Sequence, residues 1–150
     1  MAEVQSLIGA HAVVRLPEGA TVLEAVRAMA EHNVGAILVC ETDLRPRGIF
    51  SERDLMRRVV LAGRDCARVR LSEVMTRELY TVDRRAPIDQ VRRQLQERHI
   101  RHVPVLDGEV CVAVLSLRDL LRADLERCAL ELHETKLYIQ GEPGTAEPAP

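Results

Sequence analysis

The sequence predicts a mixed α and β fold built from two tandem β-α-β-β-α repeats. Three observations carry that expectation. The segment Gly48-Ile49-Phe50-Ser51-Glu52-Arg53-Asp54-Leu55 recurs as Ala113-Val114-Leu115-Ser116-Leu117-Arg118-Asp119-Leu120, 65 residues later. The surrounding apolar pattern repeats as well: Val22-Leu23-Glu24-Ala25 matches Ile88-Asp89-Gln90-Val91, and Val34-Gly35-Ala36-Ile37-Leu38-Val39 matches Ile100-Arg101-His102-Val103-Pro104-Val105, both at an offset of 66. Hydrophobic residues make up 47% of the 150-residue chain while aromatics are 2%, so the core is aliphatic.

Each element follows from local pattern. Residues 13–16 and 79–82 read as short first strands. Residues 22–32 and 88–99 carry apolar side chains at helical spacing, with Val22, Ala25, Val26 and Met29 in one and Ile88, Val91 and Leu95 in the other. Thr21 and Pro87 stand where an N-cap or first-turn residue belongs. Residues 36–39 and 103–106 are apolar strands. Turn residues follow, Asp43 to Pro46 in the first copy and Asp107-Gly108 in the second, and the Asp-Gly pair leading into residues 110–115 is a hairpin signature. The drop in offset from 66 to 65 places one extra residue in the first copy's 40–47 loop, where a surface turn tolerates it. Helices begin at Ser51 and Ser116. Residues 72–76 form one capped turn into the second repeat, and the last helix runs to about Tyr138 with an amphipathic stripe of Leu120, Leu121, Leu125, Cys128 and Leu132 that suits its own domain or a partner chain. The organisation expected is repeat 1 over 8–62, a polar connector over 63–71, repeat 2 over 72–127, a helix extension over 128–140 and a disordered Pro/Gly-rich tail over 141–150.

Composition narrows the function classes. A net charge of −2 and scarce aromatics argue against nucleic-acid binding. Cys40, Cys66, Cys111 and Cys128 are far apart with no C-x-x-C, so free thiols in a reducing cytoplasm are expected. No apolar run reaches the roughly 20 residues of a membrane span, and the start lacks a signal-peptide pattern. Phosphate-loop, dinucleotide, zincin and nucleophile-elbow motifs are absent, and His11, His32, His99, His102 and His133 lack metal-ligand spacing, so neither an enzyme nor a metal site is expected. Cys111 lies inside an apolar strand and reads as core rather than as a nucleophile.

Two readings fit the duplicated Ser-x-x-Asp. Ser51 with Asp54, and Ser116 with Asp119, are capping-box-like helix starts. The same geometry serves a ligand: a helix N-terminus after a strand attracts anions, and an Asp one turn in can accept both hydroxyls of a ribose. Arg53 and Arg118 suit phosphates or are solvated surface groups. Arg101 and His102 place cationic groups at a strand start, with a partly buried structural histidine as the alternative. The first copy has the small Gly35-Ala36 pair there, so the two sites are expected to be unlike one another.

Two tandem strand-helix-strand-strand-helix units, each ending in a strand that runs into Ser-x-Arg-Asp-Leu, resemble a CBS domain pair, or Bateman module, over roughly residues 8–127. The layout is similar to stand-alone bacterial two-CBS proteins. The resemblance implies repeats packed face to face with pseudo-two-fold symmetry, a disc-like homodimer, and clefts that bind adenosine-containing ligands: AMP, ADP, ATP, S-adenosylmethionine or NAD(H). It implies a non-enzymatic energy or redox sensor acting on a regulated partner protein, or an interaction module with ligand-free pockets. By the same resemblance Asp54 and Asp119 hold ribose hydroxyls, Ser51 and Ser116 lie near phosphate, and Gly35, Ala36, Ile37, Arg101, His102, Val103 and Pro104 line the base and phosphate regions. Ala113 departs from the family's usual Gly before the second motif, which is expected to narrow the second cleft or alter the backbone's approach to a ligand.

Overall fold

The computed structural model describes residues 2–9 and 13–140. His11 and the tail over 141–150 lie outside them. Each repeat is a three-stranded sheet with helices. In the first, β1 (Arg15–Leu16) pairs parallel to β2 (Ala36–Val39) across α1 (Val22–His32), and β2 pairs antiparallel to β3 (Gly48–Ser51). A helical turn, α2 (Glu52–Asp54), continues as a π-helical stretch over Leu55–Val60. After α3 (Leu71–Val74), the second sheet repeats the order: β4 (Val82–Asp83) parallel to β5 (His102–Asp107) across α4 (Ile88–Glu97), then β6 (Val110–Ser116) antiparallel to β5. The last helix, α5, spans Leu117–Gln140.

Local chemistry explains the boundaries. Thr21 caps α1 in a capping box: its hydroxyl accepts from the Glu24 N–H at 3.2 Å, and its own N–H donates to Glu24 Oε2 at 2.8 Å. Helix α1 ends at Asn33 with φ 53°, and at the equivalent place after α4 His99 has φ 55°, two left-handed residues at the repeat's own spacing. Gly108 supplies φ 64° in the Asp-Gly turn. The first strands are shorter than their apolar patterns suggested, because only two residues of each join the ladder.

Two cores are separate, and aliphatic apart from Phe50. One gathers Val22, Ala25, Met29, Ile37, Val39 and Phe50; the other gathers Ile88, Val91, Leu95, Val103, Val105, Leu115 and Leu120. A third, small cluster joins the repeats: Leu38 from β2 and Cys40 just after it meet Cys111 from β6, with Leu106 and Val114 against them. Burial pushes the Cys111 thiol up to about 11 and raises Cys40, so both are packed, protonated thiols.

The repeats also exchange arms. A 3-10 turn over Val4–Leu7 lies on the second repeat: Val4 is fully buried in its core, the Val4 N–H donates to Ala86 O at 2.9 Å, and the Gln5 N–H donates to Arg84 O at 2.8 Å. Helix α3 does the reverse. Leu71, Val74 and Met75 complete the first core, and the Leu71 N–H donates to Ala20 O at 2.9 Å. Each repeat is thus finished by the segment that leads into the other. The expected polar connector contributes Val69 and Leu71 to that buried core, and Val74 and Met75, expected in the second repeat, join them there.

Candidate functional site

The two Ser-x-x-Asp motifs stand at strand ends that open onto helices, as their pattern predicts. In the first, β2 and β3 hold Ala36 opposite Ser51, and the Glu52 N–H donates to Gly35 O at 3.0 Å. In the second, His102 is opposite Ser116, and the Leu117 N–H donates to Arg101 O at 2.7 Å. The same wiring presents a serine and a carboxylate at both helix starts.

The first motif opens into a cleft walled by both repeats. Repeat 1 supplies Gly35, Ile49, Ser51, Glu52, Arg53 and Asp54. The segment entering repeat 2 supplies Thr76, Glu78, Leu79 and Tyr80, and the turn before β5 with the start of that strand supplies His99, Ile100, Arg101, His102 and Pro104. Of the sequence-predicted residues, this brings together Gly35, Ser51, Arg53, Asp54, Arg101, His102 and Pro104. It does not include Ala36, Ile37 or Val103, whose side chains are buried: Ile37 and Val103 lie in the two repeat cores. Strand alternation explains Val103, whose neighbours His102 and Pro104 face the other way; Ala36 and Ile37 belong to a strand buried on both faces.

Asp54 is the one charged residue buried among the described residues. Its Oδ2 accepts from the Ser51 N–H at 3.0 Å and the Ser51 hydroxyl at 3.1 Å; its Oδ1 accepts from the Thr76 hydroxyl at 3.1 Å and lies 3.6 Å from Arg58 Nε. Arg58 also donates to the carbonyls of Val74 and Met75 at 3.2 and 2.9 Å. Asp54 therefore ties β3, α2 and the incoming segment together. Thr76, Arg58 and Tyr80 were missed from sequence. The i,i+4 spacing of Asp54 and Arg58 was the available signal for one of them; Thr76 reaches the site through its bridge to Ile49, a long-range pairing that local pattern does not display.

The second motif is more open. Asp119 Oδ2 accepts from the Ser116 N–H at 2.8 Å, and the Asp119 N–H donates to Ser116 Oγ at 3.1 Å. Asp119 is half-buried and Arg118 is exposed. The two sites differ, though not as the sequence suggested: Arg101 and His102, read as the second site's counterpart of Gly35-Ala36, line the first cleft beside Gly35.

His102 stands between them. Its ring lies against Gly35, where a Cβ would come within 3.2 Å of Nε2. It feels Glu52 from the first site and Asp119 from the second, together with Arg101 and Arg53. Burial lowers its pKa below the usual 6.5, the two carboxylates opposing that shift, so the ring is neutral at pH 7. Arg53 is turned to the cleft wall, its Nη1 donating to His99 O at 3.1 Å. Tyr80 is covered by Arg98, whose guanidinium carbon lies 4.6 Å from the ring centroid.

Packing accounts for the glycine at position 48. A Cβ on Gly48 would lie 2.6 Å from Met75 Sδ and 3.0 Å from Thr76 O. The glycine lets the exchanged arm run against β3, where the Thr76 N–H donates to Ile49 O at 2.9 Å. At Ala113 the second sheet is irregular, with the β5–β6 register shifting between Val105 and Leu106.

Comparison with known proteins agrees with this architecture. The sequence profile described as CBS domain matches residues 7–61 and again 71–126. The chain is 32% identical over 125 residues to the mitochondrial CBS domain-containing protein CBSX3 of Arabidopsis thaliana, covering 81% of this chain and 61% of that one. It is 30% identical over 105 residues to hypoxic response protein 1 of Mycobacterium tuberculosis, covering 70% and 73% of the two chains. Among solved structures, a putative signal-transduction protein with CBS domains from Burkholderia ambifaria superposes with a TM-score of 0.76 at 27% identity, over 97% of this chain and 100% of that one. Two matched repeats, two sheets of the same order and a shared motif at each helix start make this chain a member of the CBS domain family, carrying a tandem CBS pair.

Proposed function

We propose that this CBS pair is a non-enzymatic regulatory module that binds an adenosine-containing ligand, AMP, ADP, ATP or NAD(H), and transmits its occupancy to a regulated protein as a homodimer. The observation that carries the reading is the composition of the first cleft: a ribose-suited carboxylate, Asp54, faces Arg101 and His102 of the other repeat across one opening. A nucleotide seated there touches both repeats. It shifts their relative packing by the difference in its affinity for the two arrangements, and one or two kcal/mol of difference changes a partner's response about 5–30-fold.

A second reading has its own support. Both Asp54 oxygens already accept hydrogen bonds within the protein, which suits a structural carboxylate in a ligand-free pocket. A carboxylate has about four acceptor positions, so one oxygen lone pair of Asp54 still suits a ribose hydroxyl. Asp119, with fewer partners among the described residues, has more.

Thermal unfolding with each nucleotide separates the two readings. A binding ligand at 100 times its Kd stabilises by about 2.7 kcal/mol, and Asp54→Asn or Asp119→Ala removes that gain at the affected site. If no nucleotide shifts the transition and Asp54→Asn costs only the ~1 kcal/mol of a weakened cap, the structural reading replaces the regulatory one.

A further inference from the structure

We infer that α5 beyond Leu120 is a self-association seam: it pairs with the same helix of a second copy as a short parallel two-stranded coiled coil. Leu120 turns into the second core, and beyond the ion pairs of Asp124 and Arg127 the helix leaves the domain. Leu121, Leu125, Cys128, Leu132, Thr135 and Ile139 follow one another at intervals of four, three, four, three and four, the alternation of a heptad seam. All six are exposed; Leu125, Leu132 and Ile139 are 72%, 63% and 67% accessible. Thr135 fits the seam because its hydroxyl donates to Glu131 O at 2.8 Å, leaving its methyl group as the free end. A protruding helix of about four turns is marginal in water unless its apolar face is covered.

Charge selects the occupant and its direction. Arg122 and Lys136 flank the seam on one side, Asp124 and Glu131 on the other. In a parallel pair the residues on one flank face those five positions later on the partner's opposite flank, which sets Glu131 against the second copy's Lys136, twice by symmetry. In an antiparallel pair each flank meets its own kind, base against base and acid against acid. At the domain end, Arg92 and Arg127 with Asp89 and Asp124 form an ion-pair cluster that anchors α5 to α4, so the seam projects from a fixed base. The seam supplies the dimer invoked by the regulatory reading, and is tested apart from it by following nucleotide binding in the same variants.

The test is the mass of the full chain in solution. Sedimentation is expected to give twice 16.8 kDa, and Leu125→Glu with Leu132→Glu to return it to 16.8 kDa with nucleotide-induced stabilisation retained. Leu130→Glu with Leu137→Glu, on the helix's opposite exposed face, is expected to leave the dimer intact. Lys136→Glu is expected to weaken it and the added Glu131→Lys to restore it. In a Cys66→Ser background diamide should link the chains through Cys128, two thiols losing two electrons and two protons to diamide, which becomes the hydrazine; Cys128→Ser should abolish the link. A monomeric wild-type chain overturns the seam. So does a dimer that survives Leu125→Glu with Leu132→Glu, or one broken by Leu130→Glu with Leu137→Glu. Absence of the Cys128 link, or of charge-swap rescue, overturns the parallel arrangement.

Discussion

His102 contacts both halves of the molecule's chemistry. It lines the first cleft, pairs in register with Ser116 of the second site, and is faced by Glu52, Asp119, Arg101 and Arg53. Because burial lowers its folded-state pKa below 6.5, the unfolded chain takes up the proton first on acidification. The stability this neutral ring supports is complete above about pH 6.5 and is lost as pH falls through the lower folded pKa. Denaturant titrations from pH 8 to 5 should show that loss, and His102→Gln should flatten it. Gly48 is a second residue whose role is fixed by one neighbour. Gly48→Ala pushes a methyl group into Met75 and the Thr76 carbonyl and is expected to destabilise by about 1–3 kcal/mol in urea unfolding. Both residues were visible in the sequence, one as a strand-start histidine and one as a glycine before the motif. Their partners were not, because Gly35 against His102 and Gly48 against Thr76 are contacts between segments far apart along the chain.

At the scale of elements, periodicity and turn chemistry were enough to locate α1, β2, the β5–β6 hairpin and the long α5, since each of these is settled by nearest neighbours. The π-helical stretch after Asp54 was not legible. It carries Arg58 to two carbonyls of the incoming arm, a tertiary arrangement with no local pattern. Nor was the 3-10 turn at Val4–Leu7, since a four-residue segment shows too little periodicity to read. That turn covers repeat 2 rather than its own sequence neighbour. Deleting residues 2–8 is therefore expected to cost at least about 2 kcal/mol, from the uncovered apolar surface around Val4. Hydrogen exchange should report the loss mainly in β4, β5 and β6, with β1, β2 and β3 less affected; the opposite distribution would show that the turn serves repeat 1.

Across the whole molecule, the duplicated motif led to the correct fold because a repeat detected twice is stronger than either copy. The cleft was partly legible for the same reason: Ser51 and Asp54 belong to one copy's motif, Arg101 and His102 to the other copy's strand start, and the four converge in one opening. What the repeat alignment does not contain is the exchange of arms, because sequence order assigns each arm to the repeat that follows it. That exchange has a consequence for a lone repeat. Residues 63–140 by themselves would carry α3, shaped to cover the other unit's core, and would lack the Val4 turn that covers their own. Leu71 of one such fragment and Val4 of the intact chain occupy matching positions at the two cores, so two identical fragments have what each other needs. The tandem pair is in this sense a dimer written on one strand of peptide, its partners held at a fixed ratio of one to one and free to diverge, so that one cleft joins the small Gly35 of one repeat to His102 of the other.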